Sequence, residues 1–279
     1  MSEYKSFFKR VGGNEGSLCH YSTRLDTYGC GCSHNCAYCY ARSLLSFRGL
    51  WNPADPAVAD IEKIRKKIKR ELRAGEVVRL GGMTDCFAPI EKLYNVTYNT
   101  IEALNEARVH YLIVTKSHLV EDYIPIMDKD LAHIQISITS TDDRISRKIE
   151  SGAPLPVWRI RAVEKLQKEG FDVQVRLSPF VPEFVDMDVI NGIKCDKILV
   201  EFLRVNGWIR KWLAECGVST DQYILKSGGY NHLPLYAKRA YLDMIKDKQI
   251  SVCEDVPEHW EYWRKAVNAN PEDCCNLKL

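Results

Sequence analysis

Four cysteines are concentrated in one short stretch, GCGCSHNCAYCYAR, at residues 29–42. They lie within ten positions, at Cys30, Cys32, Cys36 and Cys39. A helical or strand core does not require such a density of thiols. The last three have the spacing C-x3-C-x2-C, one thiolate short of a closed zinc site or a fully ligated four-iron cluster. The spacing predicts a metal centre with one open coordination position. Zinc would need a fourth ligand, and His34 and Cys30 are near enough to supply one.

Composition indicates an ordinary globular chain of 279 residues with 46% hydrophobic and 27% charged residues. No run of about 18 or more apolar residues occurs, and no apolar signal region follows the start, so we expect a cytoplasmic protein without a membrane span. The net charge of +2 neither marks nor excludes a nucleic-acid binder. Disulfides are not expected in a reducing compartment, so metal ligation is the better explanation for the clustered members of the 11 cysteines.

Short apolar, β-branched runs alternate with helical patterns along most of the chain. Strands are predicted at 17–22, 76–82, 109–115, 133–140, 171–177 and 195–202. Helices are predicted at 93–107, 118–128 and 156–169. Alternation of this kind is typical of a parallel sheet or barrel, in which right-handed crossovers bring all strand carboxyl ends to one edge. Ligand sites gather at that edge.

Three parts of the chain are predicted. Residues 1–16 form an N-terminal segment, residues 17–204 the α/β domain, and residues 205–279 a helical C-terminal extension that closes the domain. Helices are expected in the extension at 206–215, at 234–247 and in PEHWEYWRKAV, which opens with Pro257. A further basic stretch, 64–73, has apolar residues four apart. It predicts an amphipathic helix whose basic face is either solvated or in contact with phosphates.

The cysteine loop resembles a known family. CSHNCAYC, with Tyr38 before the last cysteine, resembles the cluster motif of the radical S-adenosylmethionine (SAM) superfamily. Four further stretches extend the resemblance, over residues 28–203, to the spore photoproduct lyase-like branch, often described as DNA repair photolyases. They are GGMTDCFAPIE, LIVTKSHL, ISITSTDDRISRKIESGAPLP and VRLSPFVP. Together with the alternation, the resemblance predicts an α/β fold, a partial (β/α)6 TIM-like barrel open on one side.

The resemblance implies a [4Fe–4S] cluster held by Cys32, Cys36 and Cys39, with SAM on its open iron. Reductive cleavage of SAM then gives a 5′-deoxyadenosyl radical that abstracts hydrogen from a substrate, by family analogy a nucleotide or nucleic acid. An electron donor such as flavodoxin or ferredoxin is implied. Whether the enzyme is a lyase or a transferase stays open. The alternatives are a radical SAM enzyme acting on a small metabolite or peptide, and a non-catalytic iron–sulfur sensor or scaffold.

Residues at the predicted strand ends are the candidate SAM contacts. The superfamily has a Gly-Gly-Glu-like motif after the second strand, and here Met83 stands in place of the acid, which shifts a carboxylate contact to Asp85. A lysine at a strand end pairs well with the carboxylate of SAM, and serines there can hydrogen-bond it. The cofactor-binding candidates are Tyr38, Gly81, Gly82, Met83, Thr84, Asp85, Lys116, Ser137, Ser140, Arg176, Ser178 and Glu201. Arg176 is equally a structural partner for Glu150 or Glu201.

Cys86 and the three C-terminal cysteines each have two possible roles. Cys86 follows the glycine turn and is a candidate hydrogen-atom donor, although it follows Asp85 where the family's donor precedes the acid; the alternative is loop packing. Cys253, Cys274 and Cys275 are candidate ligands of an auxiliary iron–sulfur cluster. Against this, Cys274 and Cys275 are adjacent, and neighbouring side chains seldom converge on one metal. The alternative is packing with the aromatic residues of the last predicted helix.

Overall fold

The computed structural model describes residues 5–9 and 18–279. Its strands, in chain order, are β1 Phe7–Phe8, β2 Arg24–Leu25, β3 Tyr28–Gly29, β4 Ala57–Val58, β5 Val77–Leu80, β6 His110–Thr115, β7 Ala132–Ser137, β8 Asp172–Phe180, β9 Lys197–Phe202, β10 Leu225–Ser227, β11 Tyr230–His232 and β12 Gln249–Cys253. Eight of them form one sheet in the order β1-β2-β5-β6-β7-β8-β9-β12. All neighbours in it are parallel except β1 and β2.

This arrangement is a partial TIM-like barrel, as the sequence predicts. The edge strands β1 and β12 do not pair with each other, so the barrel is open on one side. The expected strands at 76–82, 109–115, 133–140, 171–177 and 195–202 correspond to β5 to β9. The expected first strand at 17–22 is wrong in its described part, because the first parallel strand is β2, Arg24–Leu25. Residue 17 lies outside the described residues.

The helices follow the strands and cover the outer face. They are α1 Tyr40–Phe47, α2 Ile61–Glu71, α3 Glu91–Tyr94, α4 Val96–Glu106, α5 Asp143–Ile149, α6 Pro156–Lys168, α7 Met187–Gly192, α8 Gly207–Glu215, α9 Leu235–Leu242 and α10 Pro257–Ala266. The helix predicted at 118–128 is instead a short 3-10 helix over His118–Tyr123. The basic stretch is part of α2, which buries Ile64 and Ile68 and leaves most of its charged residues towards solvent. Among the described residues, no helix is both long enough and apolar enough to span a membrane.

The C-terminal part contributes three strands, β10 to β12, as well as helices. β12 pairs in parallel with β9, so that Cys253 lies beside Glu201. Sequence patterns predict only helices there, because a five-residue strand between helices carries little periodicity. At the other end of the sheet, β1 comes from the predicted N-terminal segment and pairs antiparallel with β2. Residues 1–4 and 10–16 of that segment lie outside the described residues.

The buried carboxylate of Glu91, the first residue of α3, links the segments that pack around this helix. Glu91 is fully buried and accepts hydrogen bonds from the hydroxyls of Tyr28 and Tyr123 and the backbone N–H groups of Thr97 and Tyr98. The four donors come from β3, the 3-10 helix and α4. Glu91 therefore satisfies several buried polar groups at once.

Replacing Glu91 by alanine should lower the free energy of unfolding by about 3 kcal/mol or more, because four buried donors lose their acceptor. Urea denaturation of the iron-free protein measures the effect. Glu106→Ala, on the exposed face of α4, is the matched control and should change stability by less than about 0.5 kcal/mol. Equal losses in the two variants would contradict this role for Glu91.

Candidate functional site

A cavity opens at the carboxyl ends of the barrel strands, beneath the cysteine loop. Its empty space, which includes open solvent at the mouth, is about 940 Å³. Its lining includes most of the site residues expected from the sequence: Cys32, Cys36, Cys39, Tyr38, Gly81, Gly82, Met83, Thr84, Asp85, Lys116, Ser137, Arg176, Ser178 and Glu201. The structure thus brings together residues that are up to 169 positions apart in the chain, from Cys32 to Glu201.

The cysteine loop has no regular secondary structure before α1, so other segments must hold it. The Ala37 N–H donates to the Ile149 carbonyl at 2.8 Å, and the Gly152 N–H donates to the His34 carbonyl at 3.2 Å. A Cβ on Gly152 would come within 1.8 Å of the Ser33 carbonyl oxygen. Only glycine permits this approach, so the segment at residues 149–152, at the end of α5, fixes the loop through backbone contacts.

The same segment carries an ion pair that reaches the cavity wall. Glu150 and Arg159 pair at 2.6 Å, and both side chains are fully buried. Arg159 also donates to the carbonyls of Pro154 and Ser137, and the Tyr38 hydroxyl donates to Glu150. Burial raises the pKa of Glu150, but Arg159 and Lys116 outweigh it and lower the pKa to about 2. The carboxylate is ionised, and it orients Tyr38 between two of the cysteines.

The glycine turn after β5, Gly81–Met83, is held by the carboxylate of Asp26, the residue that directly follows β2. Asp26 Oδ1 accepts from the backbone N–H groups of Gly82 at 2.7 Å, Met83 at 2.9 Å and Thr84 at 3.4 Å. Burial raises the pKa of Asp26, while these three N–H groups act in the opposite direction. Gly81 has φ +85°, and a Cβ there would lie 2.7 Å from the Val114 carbonyl oxygen. The turn therefore depends on Asp26 and on the absence of a side chain at Gly81.

Asp85 links this turn to the end of β6. Its Oδ1 accepts from the Thr115 hydroxyl at 2.7 Å, and its Oδ2 accepts from the Lys116 N–H at 2.7 Å. The His34 ring lies 3.4 Å from the same carboxylate. Burial lowers the pKa of His34, so the ring is held in its neutral form against Asp85. Asp85 is thus engaged on several sides by protein groups, and it lines the cavity as part of the wall.

Lys116 points its ammonium into the cavity near the thiols. Its Nζ lies 5.5 Å from the centre of the Tyr38 ring. Its charge also lowers the pKa of the Cys36 and Cys39 thiols, although burial dominates and raises both values. No carboxylate pairs with the Lys116 ammonium in the part of the chain that the structure describes. The charge is available to a ligand in the cavity.

The opposite wall, from β8 and β9, is a charged network. Arg176 pairs with Glu201 and donates to the Gln135 side chain at 2.7 Å. The Ser178 hydroxyl donates to Glu201 at 2.8 Å. Burial raises the pKa of Glu201, but the neighbouring guanidinium groups outweigh it and hold the value well below the usual range. Of the two structural partners that sequence left open for Arg176, the structure selects Glu201, because Glu150 is occupied by Arg159.

Two of the expected residues are not in the cavity. Cys86 is buried in the hydrophobic core, with its thiol 4.0 Å from the Leu25 carbonyl, and does not face the cavity. Ser140 is also buried, and its hydroxyl hydrogen-bonds the backbone of Asp142 within the turn that opens α5. Cys30 does not line the cavity either. The turn after β5 bends away from the cavity directly after Asp85, which places the next side chain behind it.

Comparison with known proteins agrees with this architecture. The protein is of the class in which a partial barrel of parallel strands carries a cysteine-rich loop over the carboxyl ends of its strands. The family model of the Radical SAM superfamily matches residues 27–192, which is more than half of the chain. The chain therefore belongs to the radical SAM superfamily, and the protein is a radical SAM enzyme.

Individual relatives are distant. An uncharacterized protein of Mycobacterium tuberculosis is 25% identical over 248 residues, covering 78% of this chain and 70% of that protein. A radical SAM Nalpha-GlyT isomerase of Pseudomonas phage M6 is 26% identical over 170 residues, covering 60% of this chain and 35% of the phage protein. A mutant spore photoproduct lyase with bound AdoMet and dinucleoside spore photoproduct has a TM-score of 0.64 at 15% identity, covering 88% of this chain and 76% of that one. This last likeness establishes the fold.

The Glu150–Arg159 pair should make stability depend on pH. Because folding lowers the pKa of Glu150 from 4.5 to about 2, its contribution is fully present above about pH 4.5 and is lost as the pH falls towards 2. The difference amounts to about 3 kcal/mol. Unfolding free energies of the iron-free protein between pH 6 and pH 2 should therefore fall less steeply in Glu150→Gln than in the wild type. Glu106→Gln should follow the wild-type profile, and parallel profiles for all three proteins would contradict the assignment.

Proposed function

We propose that Cys32, Cys36 and Cys39 hold a [4Fe–4S] cluster and that SAM binds in the adjoining cavity. The donor set fits this cofactor, because three thiols line one cavity and no fourth cysteine among the described residues joins them there. A single zinc ion would draw its sulfurs to about 3.8 Å of one another. In the described residues, no three cysteine sulfurs lie within even 4.8 Å. The convergence of the three thiols, the glycine turn and Lys116 in one cavity carries the proposal.

When bound, the cluster and SAM supply a 5′-deoxyadenosyl radical that abstracts hydrogen from a substrate. The chain's own residues bind and orient SAM. Lys116 pairs with the carboxylate of SAM, and the backbone of Gly81–Met83 receives its amino group. Arg176, Ser178 and Glu201 form the wall that contacts its ribose and adenine. Because Asp26 and Asp85 hold these segments, the site is rigid before SAM arrives.

We further propose a nucleotide or nucleic-acid substrate. The cavity wall combines a cation with aromatic rings: the Arg204 guanidinium, which pairs with Asp255 and Glu201, lies 4.9 Å from the Tyr40 ring and 5.7 Å from the Tyr230 ring. Aromatic rings beside a guanidinium suit stacked bases. The dinucleoside bound by the spore photoproduct lyase of similar fold supports the same class by analogy. Because Cys86 lies in the core, we assign it no hydrogen-donor role.

Anaerobic reconstitution tests the first proposal. The protein, loaded with iron and sulfide, reduced and given SAM, should form 5′-deoxyadenosine, and Cys36→Ala should form none. Cys216→Ser, which removes a thiol remote from the cavity lining, is the control and should retain activity. A cluster that forms but never cleaves SAM, with flavodoxin, ferredoxin or dithionite as reductant, would favour the sensor or scaffold alternative. A colourless protein loaded with zinc would overturn the proposal.

The substrate class is tested by the rate of 5′-deoxyadenosine formation. Single-stranded DNA or RNA oligonucleotides or dinucleotides should accelerate it, and acceleration by oligonucleotides should weaken as salt rises, because phosphate contacts release counterions. Peptides and uncharged metabolites should have no effect. Acceleration by a peptide or metabolite alone would replace the nucleotide proposal with the alternative that sequence left open.

Lys116→Met should weaken SAM binding by about tenfold or more, because a charge-assisted hydrogen bond to the SAM carboxylate is lost. Lys116→Arg should retain most of the affinity. Equilibrium dialysis with radiolabelled SAM on the reconstituted protein measures both. Lys168→Met, at the exposed end of α6, is the matched control. Wild-type affinity in Lys116→Met would place the carboxylate elsewhere in the cavity.

A further inference from the structure

A second group of cysteines converges inside the barrel, away from the cysteine loop. Cys274 and Cys275 are buried in a small cluster with Tyr21, Leu112, Leu199 and Trp260, and Cys19 and Cys253 pack against it. The Cys274 thiol lies beside the thiols of Cys253 and Cys275, and Cys19 lies near Cys253 and Cys275. Four of the 11 cysteines therefore meet at one place.

The four thiols come from three separate segments, and one buried carboxylate, that of Asp273, ties two of them together. Asp273 accepts a hydrogen bond from the Tyr21 hydroxyl at 2.8 Å, two residues from Cys19. It also accepts from the backbone N–H groups of Cys275 at 2.8 Å and Leu277 at 3.1 Å. Asp273 thus anchors the N-terminal segment against the C-terminal tail. These hydrogen bonds bring Cys19 close to Cys274 and Cys275, although the two segments are far apart in the chain.

The adjacent pair Cys274–Cys275 occupies a tight turn. The Asn276 N–H donates to the Asp273 carbonyl at 3.1 Å, so the two cysteines form the tip of this turn. Both side chains are buried. At the tip of a turn, the backbone bends so that neighbouring side chains can point into the same space. This removes the objection that adjacent cysteines seldom converge.

Guanidinium groups lie near three of the four thiols. Arg176 lies near Cys253 and Cys275, and Arg79 and Arg24 lie near Cys19. Guanidinium groups offset the negative charge that several thiolates would bring into the interior. The polar Gln135 side chain also reaches Cys275.

The geometry points to a second metal site: we propose that Cys19, Cys253, Cys274 and Cys275 ligate an auxiliary iron–sulfur cluster. Four thiolates are the complete ligand set of such a cluster. A single zinc ion fits less well, since no three cysteine sulfurs of the described chain lie within 4.8 Å, whereas zinc requires about 3.8 Å. Full cysteine ligation leaves no open iron, so this cluster would not bind SAM.

The position of the site relates it to the cavity. Cys253 lies beside Glu201 in the register of β12 and β9, and Arg176, which pairs with Glu201, lies near Cys253 and Cys275. The second site therefore adjoins the wall of the SAM cavity. The proposal does not rest on the substrate proposed above, because the two sites share no ligand.

Iron and sulfide analysis of variants tests the proposal. A Cys32→Ala, Cys36→Ala, Cys39→Ala variant, reconstituted anaerobically, should still bind about two to four iron atoms per chain and an equal amount of sulfide. The spectrum of this cluster by electron paramagnetic resonance or Mössbauer spectroscopy should not change when SAM is added. Wild type should carry about four more iron atoms than this variant.

The converse variant replaces the second set. Cys274→Ser with Cys275→Ser should lose the additional iron and keep a cluster that responds to SAM, which also reports that the barrel has folded. The matched control is Cys195→Ser, a buried thiol of the main hydrophobic core that donates to the Val173 and Lys197 carbonyls; its iron content should equal that of wild type. Three results would each overturn the proposal: no iron in the first variant, zinc in its place, or a disulfide among the four cysteines in anaerobic protein.

Discussion

The ion pair between Glu150 and Arg159 is the interaction on which the site depends most. The cysteine loop has no secondary structure of its own, and its backbone is held by the segment at residues 149–152. That segment is fixed in turn by a carboxylate and a guanidinium that are both fully buried. Such a pair offsets its desolvation cost only when its remaining hydrogen-bonding groups are satisfied. Carbonyls from two segments and the Tyr38 hydroxyl do so, which couples the loop to β7 and α6.

A similar logic governs the rest of the cavity wall. Three carboxylates hold backbone or charged groups that face a ligand: Asp26 holds the glycine turn, Asp85 the end of β6, and Glu201 the Arg176 guanidinium. Each is buried or nearly so, and each is satisfied by several donors. The free-energy cost of burying and orienting these charged groups is met during folding. The groups therefore need little reorganisation when the reaction takes place. The position of a radical-generating cofactor can then be set within narrow limits.

Sequence could predict the parts that rest on local patterns. The alternation of strands and helices predicts the partial barrel, and the C-x3-C-x2-C spacing and the glycines after β5 identify residues that line one cavity. Asp26 and Arg159 carry no such signal, because a single charged residue beside a strand or in a helix is usually solvated. Their roles arise from contacts across 56 and 9 positions. Cys86 shows the same limit: spacing places it beside the cavity, and only the direction of the turn shows that it faces the core.

The C-terminal part illustrates how a constraint of topology creates chemistry. A strand that extends a parallel sheet must align with its neighbour, and the alignment of β12 with β9 fixes Cys253 beside Glu201. The tail that follows α10 then returns to the barrel, where Lys197 and Asp172 bind the backbone of Asn276 and Lys278. These contacts hold the turn with Cys274 and Cys275 against the barrel, where both side chains are buried. The segment that covers the barrel interior is therefore the same segment that collects the thiols, so a second metal site there would also stabilise the closure of the barrel.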